Sequence, residues 1–314
     1  MVEVSTPTAF GAQDRFRHEA VLYDGLTGLR EVVLPFIREG LELGEPVMVA
    51  MLEDRVAFLT EELGALATLV DFVDMREVGA NPSRIIPAWR RFVEAHDGLP
   101  LRGVGEPVWA GRRGVELEEC VLHESLLNLA FDDGPGWRLL CPYDASALPS
   151  VVLDDVFVTH PSVPTSARTL PYLGHDFARS AFAAPLTPPP ADAVHLDFGL
   201  RGLGAVRDAV RRGATAAQVS DDAADDLALA AHEVATNSVQ HGGGTGRLSV
   251  WARPDAFVVD VRDSGRIEDP MVGRELVELA SETGRGVWMA NQLCDLVQVR
   301  SHDHGTVVRL HAWR

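Results

Sequence analysis

The sequence predicts an α/β protein in two units: a mostly parallel sheet first, an α/β sandwich second. Three observations carry this. Short apolar runs alternate with segments of helical periodicity as far as His160, the pattern of a parallel sheet with crossover helices. The composition then shifts, with Pro161, Pro164, Pro171, Pro185 and the run Pro188-Pro189-Pro190 falling between Pro161 and Ala191. Beyond that, helices come first and a run of antiparallel strands follows, which suggests helices on one face of a mixed sheet.

In the first unit, His18–Tyr23 reads as a strand. Thr27–Leu43 reads as a helix on the spacing of Leu29, Val32, Val33, Phe36, Ile37 and Leu41, closed by Gly44. Pro46–Met51 is a buried-strand run, Arg55–Leu63 a helix and Leu69–Asp74 a strand. Pro87–His96 is a helix, Leu101–Gly105 a strand, Leu117–Ala130 a helix and Trp137–Cys141 a strand. The proline-rich segment reads as a semi-rigid spacer. Its apolar residues Leu170, Tyr172, Leu173, Phe177 and Phe182 suggest that it packs partly against folded structure. The second unit opens with the strand Ala193–Phe198, then the helices Gly202–Arg212 and Ser220–His241. Ser220 with Asp221 and Asp222 forms an N-terminal helix signature. Strands Arg247–Ala252 and Ala256–Arg262 follow, then a loop and helix over Glu268–Leu293. Strands Leu296–Ser301 and Gly305–His311 close the chain. The division expected is 14–163, 164–190 and 191–314.

The chain has 314 residues, enough for two cores. Its 46 acidic residues against 28 basic ones give a net charge of -18. That argues against binding nucleic acid or an anionic membrane surface, both of which need clustered cations. All 28 basic residues are Arg, so chemistry that needs a lysine is excluded: no P-loop lysine and no Schiff base. Cys120, Cys141 and Cys294 are odd in number and far apart, which suits a reducing compartment. No run of 18 apolar residues spans a membrane. The N-terminus lacks a basic region followed by an apolar stretch, so a cytoplasmic protein is expected.

Four pieces of the second unit carry chemistry. Steps of four are expected to place Glu233, Asn237 and His241 on one face of a predicted helix. A carboxylate, an amide oxygen and an imidazole in a row suit a hydrated Mg²⁺ and a base for a hydroxyl. The plainer reading is a solvated polar face. Next, Asp263-Ser264-Gly265 ends a strand. A carboxylate there can accept a hydrogen bond from an exocyclic amine such as adenine's, and the glycine permits close approach. Then Gly284-Arg285-Gly286 precedes a helix, where backbone N–H groups and a bidentate cation suit phosphate. Last, Gly305-Thr306 enters the final strand, placing a hydroxyl near a base pocket. Each is weak alone, since turns and hinges also carry such residues.

The four in this order resemble the histidine-kinase-like (GHKL, Bergerat-fold) ATPases. The short interval from Asp263 to Gly284, the leader Asp221–Glu233 and the absence of an adjoining dimerisation helix pair resemble the anti-sigma-factor serine kinase branch. The resemblance covers Ala191–Arg314. It implies an ATP- and Mg²⁺-dependent serine/threonine protein kinase, with Glu233 as general base, Asn237 as Mg²⁺ ligand and His241 beside the nucleotide. Asp263 would read adenine with Gly265 shaping the pocket. Gly284, Arg285 and Gly286 would form the phosphate lid, and Thr306 would support the base. Where the family has a second glycine after Asp-x-Gly, this chain has Ile267, which narrows the expected pocket. The implied partners are a STAS-type anti-sigma-factor antagonist, a sigma factor, or both; homodimerisation is left open. The alternatives are a catalytically weak nucleotide-binding module that sequesters such a partner, and a sensor histidine kinase. His123-Glu124 has the form of a phospho-accepting histidine box, but in an α/β context without a helix hairpin.

In the first unit, His18, Glu106, Cys141, Tyr143, Asp144 and His160 are placed at predicted strand ends, where parallel sheets bind ligands. The first five make the candidate sensory site. His18, Cys141 and His160 are donors a soft or borderline metal accepts. Without a Cys-x-x-Cys or His-x-x-x-His spacing, the favoured reading is a buried thiol with satisfied histidines. Residues 17–163 resemble the MEDS (DcmR-type) sensory domains, through His18–Tyr23, Pro35–Leu41, Gly44–Val47, His123–Asn128 and Leu140–Asp144. That resemblance implies a RecA-like fold without a Walker A motif and a signal-input role for an unknown ligand.

Overall fold

A computed structural model of the chain describes residues 15–96, 98–134, 136–164, 170–275 and 285–314. The chain divides into two compact units, Met1–Phe177 and Ala178–Arg314.

In the first unit, strands β1 (Arg17–Tyr23), β2 (Val47–Met51), β3 (Val70–Asp74), β4 (Arg102–Gly105) and β5 (Arg138–Asp144) make a five-stranded sheet of order β1-β5-β4-β2-β3. Every pairing described in it is parallel. Helices α1 (Gly25–Glu42), α2 (Glu53–Leu63), α3 (Met75–Val78), α4 (Ile85–Ala95), α5 (Gly114–Ala130) and α6 (Ser150–Thr159) supply the connections. β2 is buried along its whole length, as a strand covered on both faces must be. Leu29, Val33, Ile37, Val49, Met51 and Leu59 form the centre of one core. Elsewhere in the unit Trp89 and Trp137 pack with ring centroids 5.6 Å apart and planes tilted by 41°. Gly103 makes room for them, since a Cβ there would lie 2.7 Å from Trp89 and 3.0 Å from Trp137.

Two features place the polar residues of this unit. β1 and β5 run in register with Ala20 opposite Cys141 and His18 opposite Leu139, so His18 and Cys141 share one sheet face. After α6 the chain returns beside β1, where the Ala20 N–H donates to the Ser162 carbonyl at 2.9 Å. This covers the outer edge of β1 and fixes His160, the residue that ends α6.

The stretch read as a spacer contains a helix, α7 (Gly174–Ala183), with Ala178 and Phe182 buried. In the second unit, strands β6 (Val194–Gly199), β7 (Thr245–Ala252), β8 (Ala256–Asp263), β9 (Leu296–His302) and β10 (Gly305–Trp313) form a sheet of order β6-β7-β8-β10-β9. The expectation of a mixed sheet is corrected here: every described pairing is antiparallel. The crossover through α10 (Arg285–Leu293) carries β9 to the edge, and the β9–β10 hairpin folds β10 back beside β8. Helices α8 (Leu203–Ala216) and α9 (Asp221–His241) pack on each other, and α10 packs on α9. Ser220 caps α9 by accepting from the Ala223 N–H, and the Leu227, Ala228, Ala231, Val234 and Ala235 side chains bury its inner face. Among the described residues no helix is long and apolar enough to cross a membrane.

Candidate functional site

The second unit holds a cavity of about 330 Å³ between α9, the turn after β8, the start of α10 and the entry to β10. That volume lies at the lower end of small-molecule sites. From α9 it takes Val234, Asn237, Ser238 and His241, spaced by three and four residues as one helix face requires. Glu233 is half-buried and is not among the lining residues.

Asp263, the last residue of β8, is held at both oxygens. The Ser238 hydroxyl donates to Oδ2 at 2.6 Å and the Gly265 N–H donates to Oδ1 at 2.8 Å. Around it the backbone is packed to the glycine limit. A Cβ on Gly242 would collide with the Asp263 carboxylate, and one on Gly265 would lie 2.7 Å from the Gly242 Cα. The Ser264 N–H closes the junction by donating to the Gly242 carbonyl at 3.2 Å.

Thr306 sits opposite Asp263 in the β8–β10 register. Its hydroxyl donates to the Gly265 carbonyl at 2.9 Å and lies 3.0 Å from the Ser301 hydroxyl. The Ile267 N–H in turn donates to Ser301 at 2.8 Å. Thr306 therefore fixes the turn that carries Gly265 and Ile267, and it lines the cavity as well. Gly305 has φ +118°, and a Cβ there would meet the Asp263 carbonyl oxygen, so no other residue fits that turn. Gly286 packs against Asn237 so closely that a Cβ would strike the amide. Arg285, at the exposed start of α10, is not among the lining residues. Gly284 lies outside the described residues. The apolar walls are Val234, Ile267, Val272, Val287 and Val308. Asn237, His241, Asp263, Gly265 and Thr306 thus meet at one cavity, with Gly286 packed on Asn237. Ser238 and Ser301, which orient Asp263 and the turn, carry no signal in the sequence beyond the adjacency of Ser238 to Asn237.

In the first unit the five residues grouped as one sensory site separate into two clusters, which corrects that grouping. The first lies where β1, β4 and β5 end. The Tyr23 hydroxyl donates to Glu106 at 2.5 Å, and Arg55 reaches Tyr23 at 2.9 Å, Glu106 at 3.0 Å and Asp144 at 3.3 Å. Burial pushes the Glu106 carboxyl up to about 7, against the opposing pull of Arg55 and Tyr23. Asp144 also accepts from the Gly25 and Ser146 N–H groups. Tyr23 and Arg55 are members the sequence analysis does not find.

The second cluster lies away from the carboxyl ends of the strands, at the second residue of β1 and the fourth of β5. His18 and Cys141 of the shared sheet face meet Glu124 of α5 and His160 beyond α6, all four buried. Tyr143 belongs with them, its ring edge-on to His160 at 5.7 Å between centroids. Burial raises the Cys141 thiol well above its ordinary range, and the Glu124 charge adds to the effect. His123, by contrast, is 1% exposed on α5, closed to any phosphodonor.

Residues 17–161 match the family model of the MEDS domain, the methanogen/methylotroph, DcmR sensory domain. Residues 199–312 match that of the histidine kinase-like ATPase domain. The chain therefore joins a MEDS domain to a histidine kinase-like ATPase domain. No curated protein matches it. Among solved structures it is similar to the RsbU and RsbW domains of Rv1364c from Mycobacterium tuberculosis, at 18% identity and a TM-score of 0.31. That likeness covers 40% of this chain and 34% of the other, about a third of its length.

Proposed function

We propose that this chain is an ATP-dependent serine/threonine protein kinase of the anti-sigma-factor regulatory type, controlled through its MEDS domain. The observation that carries the reading is the single cavity on which Asn237, His241, Asp263, Gly265 and Thr306 converge. It lies inside the segment that matches the histidine kinase-like ATPase domain.

The residues present fit a nucleotide. The apolar walls offer contact to a planar base, and Asp263, held from behind by Ser238 and Gly265, accepts a hydrogen bond from its exocyclic amine. Asn237 and His241 line the cavity from positions of α9 before and after Ser238, with Gly286 packed on Asn237. In this reading Asn237 would offer its amide oxygen to Mg²⁺, and Arg285 and Gly286, at the start of α10, would bind the phosphates together with the expected lid residue Gly284, which lies outside the described residues. Bound ATP with Mg²⁺ supplies an activated phosphoryl group. Glu233, one turn from Asn237, accepts the proton of the attacking serine hydroxyl. The substrate class, a serine on a STAS-type antagonist, is what the resemblance of the leader Asp221–Glu233 and of the motif order to the anti-sigma-factor kinase branch implies.

A second reading is a nucleotide-gated binding module for such a partner or its sigma factor. Two observations favour it: Ile267 occupies the cavity wall, and Glu233 does not line the cavity. A histidine kinase reading has no such support, given the burial of His123. One experiment separates the three. The full chain is incubated with labelled ATP, Mg²⁺ and a panel of STAS-type proteins, and the product is tested in acid. Acid-stable label on a partner serine is expected. Acid-labile label on the chain itself would identify a histidine kinase, and nucleotide-dependent partner binding with no label a binding module.

A further inference from the structure

His18, Glu124, Cys141 and His160 place one ligand atom each within 4.8 Å of all the others, in full burial. Four of the six separations are short. His18 Nε2 lies 3.0 Å from Glu124 Oε2 and 3.3 Å from Cys141 Sγ. His160 Nε2 lies 3.3 Å, and Cys141 Sγ 3.7 Å, from the same Glu124 Oε2. Donors at about 2.0–2.3 Å from a tetrahedral ion are separated by roughly 3.3–3.8 Å along its edges. The cluster is close to that figure before any ion enters.

Both imidazoles are oriented from behind. The Asn128 amide donates to the Thr159 carbonyl at 2.9 Å, which leaves its oxygen as acceptor toward His18 Nδ1 at 3.1 Å. That hydrogen bond needs a proton on His18 Nδ1, so in the neutral ring the Nε2 lone pair faces the cluster. His160 Nδ1 faces the Val156 carbonyl at 3.0 Å, a pure acceptor, so its Nε2 lone pair also points inward. Two lone pairs, a thiol and a carboxylate thus converge on one point. Glu124 Oε1 is buried with no hydrogen-bond partner among the described residues. Such a set calls for a cation at its centre, and ligating histidines held by a carbonyl or amide oxygen on the other nitrogen are the usual second layer of a metal site.

We propose that the MEDS domain of this chain holds one divalent transition-metal ion of the zinc class through His18, Glu124, Cys141 and His160. Imidazole and thiolate donors exclude Ca²⁺ and Mg²⁺, which take oxygen ligands. Four protein ligands leave no open position, so the ion is bound rather than used in catalysis. On binding, a metal–sulfur bond forms and the Cys141 thiol proton leaves to solvent. The donors come from β1, α5, β5 and the end of α6, so occupancy ties four elements together. A cavity of about 320 Å³ lies against His18 and Asn128, on the side of the His18 ring away from the other three donors.

The test uses the full chain, stripped with a chelator and titrated with Zn²⁺, then with Co²⁺. One equivalent of Zn²⁺ and a cobalt spectrum with a thiolate charge-transfer band and tetrahedral ligand-field intensity are expected. The double variant Cys120→Ser/Cys294→Ser, in which Cys141 is the remaining thiol, keeps the band, and Cys141→Ser loses it. Asn128→Ala weakens Zn²⁺ about 10–100-fold. Failure of the wild-type chain to take up one equivalent, or loss of the band in the double variant, overturns the proposal.

Discussion

The Ser238 hydroxyl, on α9, donates to Asp263 Oδ2, at the end of β8, across 2.6 Å. With the Gly265 N–H on the other oxygen, it holds the Asp263 carboxylate on the cavity wall in a single orientation. A carboxylate aimed in this way discriminates between ligands, because an amide in its place presents a donor where an acceptor is needed.

Asp263→Asn is expected to weaken ATP binding to the full chain by about ten-fold or more. A hydrogen bond to a charged group contributes about 1.5–3 kcal/mol. Ser238→Ala should cause a smaller loss, since Gly265 still holds the carboxylate. Calorimetry on the three proteins checks both, and equal affinity for Asp263→Asn and wild type refutes the assignment of the base pocket.

Glycine contacts give a second test. Gly286→Ala puts a methyl group into the Asn237 amide, whereas a Cβ on Gly204 in α8 meets nothing within 4 Å. Overpacking of this kind costs about 1–3 kcal/mol. Gly286→Ala should therefore weaken Mg²⁺-dependent nucleotide binding about ten-fold. Gly204→Ala should leave binding unchanged and raise helix stability by roughly 0.5–1 kcal/mol. Binding that survives Gly286→Ala intact would separate this contact from the site.

Much of the fold was legible because local signals agreed with tertiary context. The apolar run at Val47–Met51 became a wholly buried strand, and Ser220 began α9. β5 ran longer than expected because Pro142 reads as a strand terminator. It is tolerated because the β4 ladder ends at Val104 opposite Leu140, so from Cys141 onward β5 pairs with β1 alone. Helix α6, Ser150–Thr159, had no clear signal, as its β-branched Val151, Val152, Val156 and Val158 favour strand locally.

The site was legible as motifs but not as surfaces. Steps of four along a helix drift by about 40° each, so Glu233, Asn237 and His241 do not point one way. The cavity instead takes the face defined by Val234, Asn237, Ser238 and His241. In the first unit, contacts such as His18 with Glu124 join residues 106 positions apart, by the numbering of the pair. No spacing rule within one segment finds them.

Glu106 gives a pH prediction. Its carboxyl is raised by burial from 4.5 to about 7 in the folded chain, with Tyr23, Arg55, Asp144 and Asp54 around it. Between those values the folded state keeps a proton that the unfolded state has released. Rising pH therefore lowers stability, by roughly 3 kcal/mol at most from this group, with no further loss above about pH 8. The urea midpoint of the first unit, read from its peptides by hydrogen-exchange mass spectrometry, should fall from pH 5 to pH 7.5 relative to Glu106→Gln; burial lowers the His160 pKa, which pulls the midpoint the other way in both proteins. An equal slope in the two proteins would place its origin elsewhere.

Glu233 and Asn237 separate chemistry from binding. They sit one turn apart on α9, yet Asn237 lines the cavity and Glu233 does not. If Glu233 takes the proton of the attacking hydroxyl, its work is confined to the transfer step, where a positioned base contributes about 10²–10⁴-fold. Glu233→Ala should then lower phosphotransfer by that factor with the ATP dissociation constant nearly unchanged. Asn237→Ala should weaken binding in the presence of Mg²⁺ and have little effect in its absence. Single-turnover transfer to the partner, measured beside equilibrium binding with and without Mg²⁺, distinguishes the two. Undiminished transfer by Glu233→Ala would remove it from the chemistry. Combined with its place outside the cavity wall, that result would move the chain to the binding-module reading.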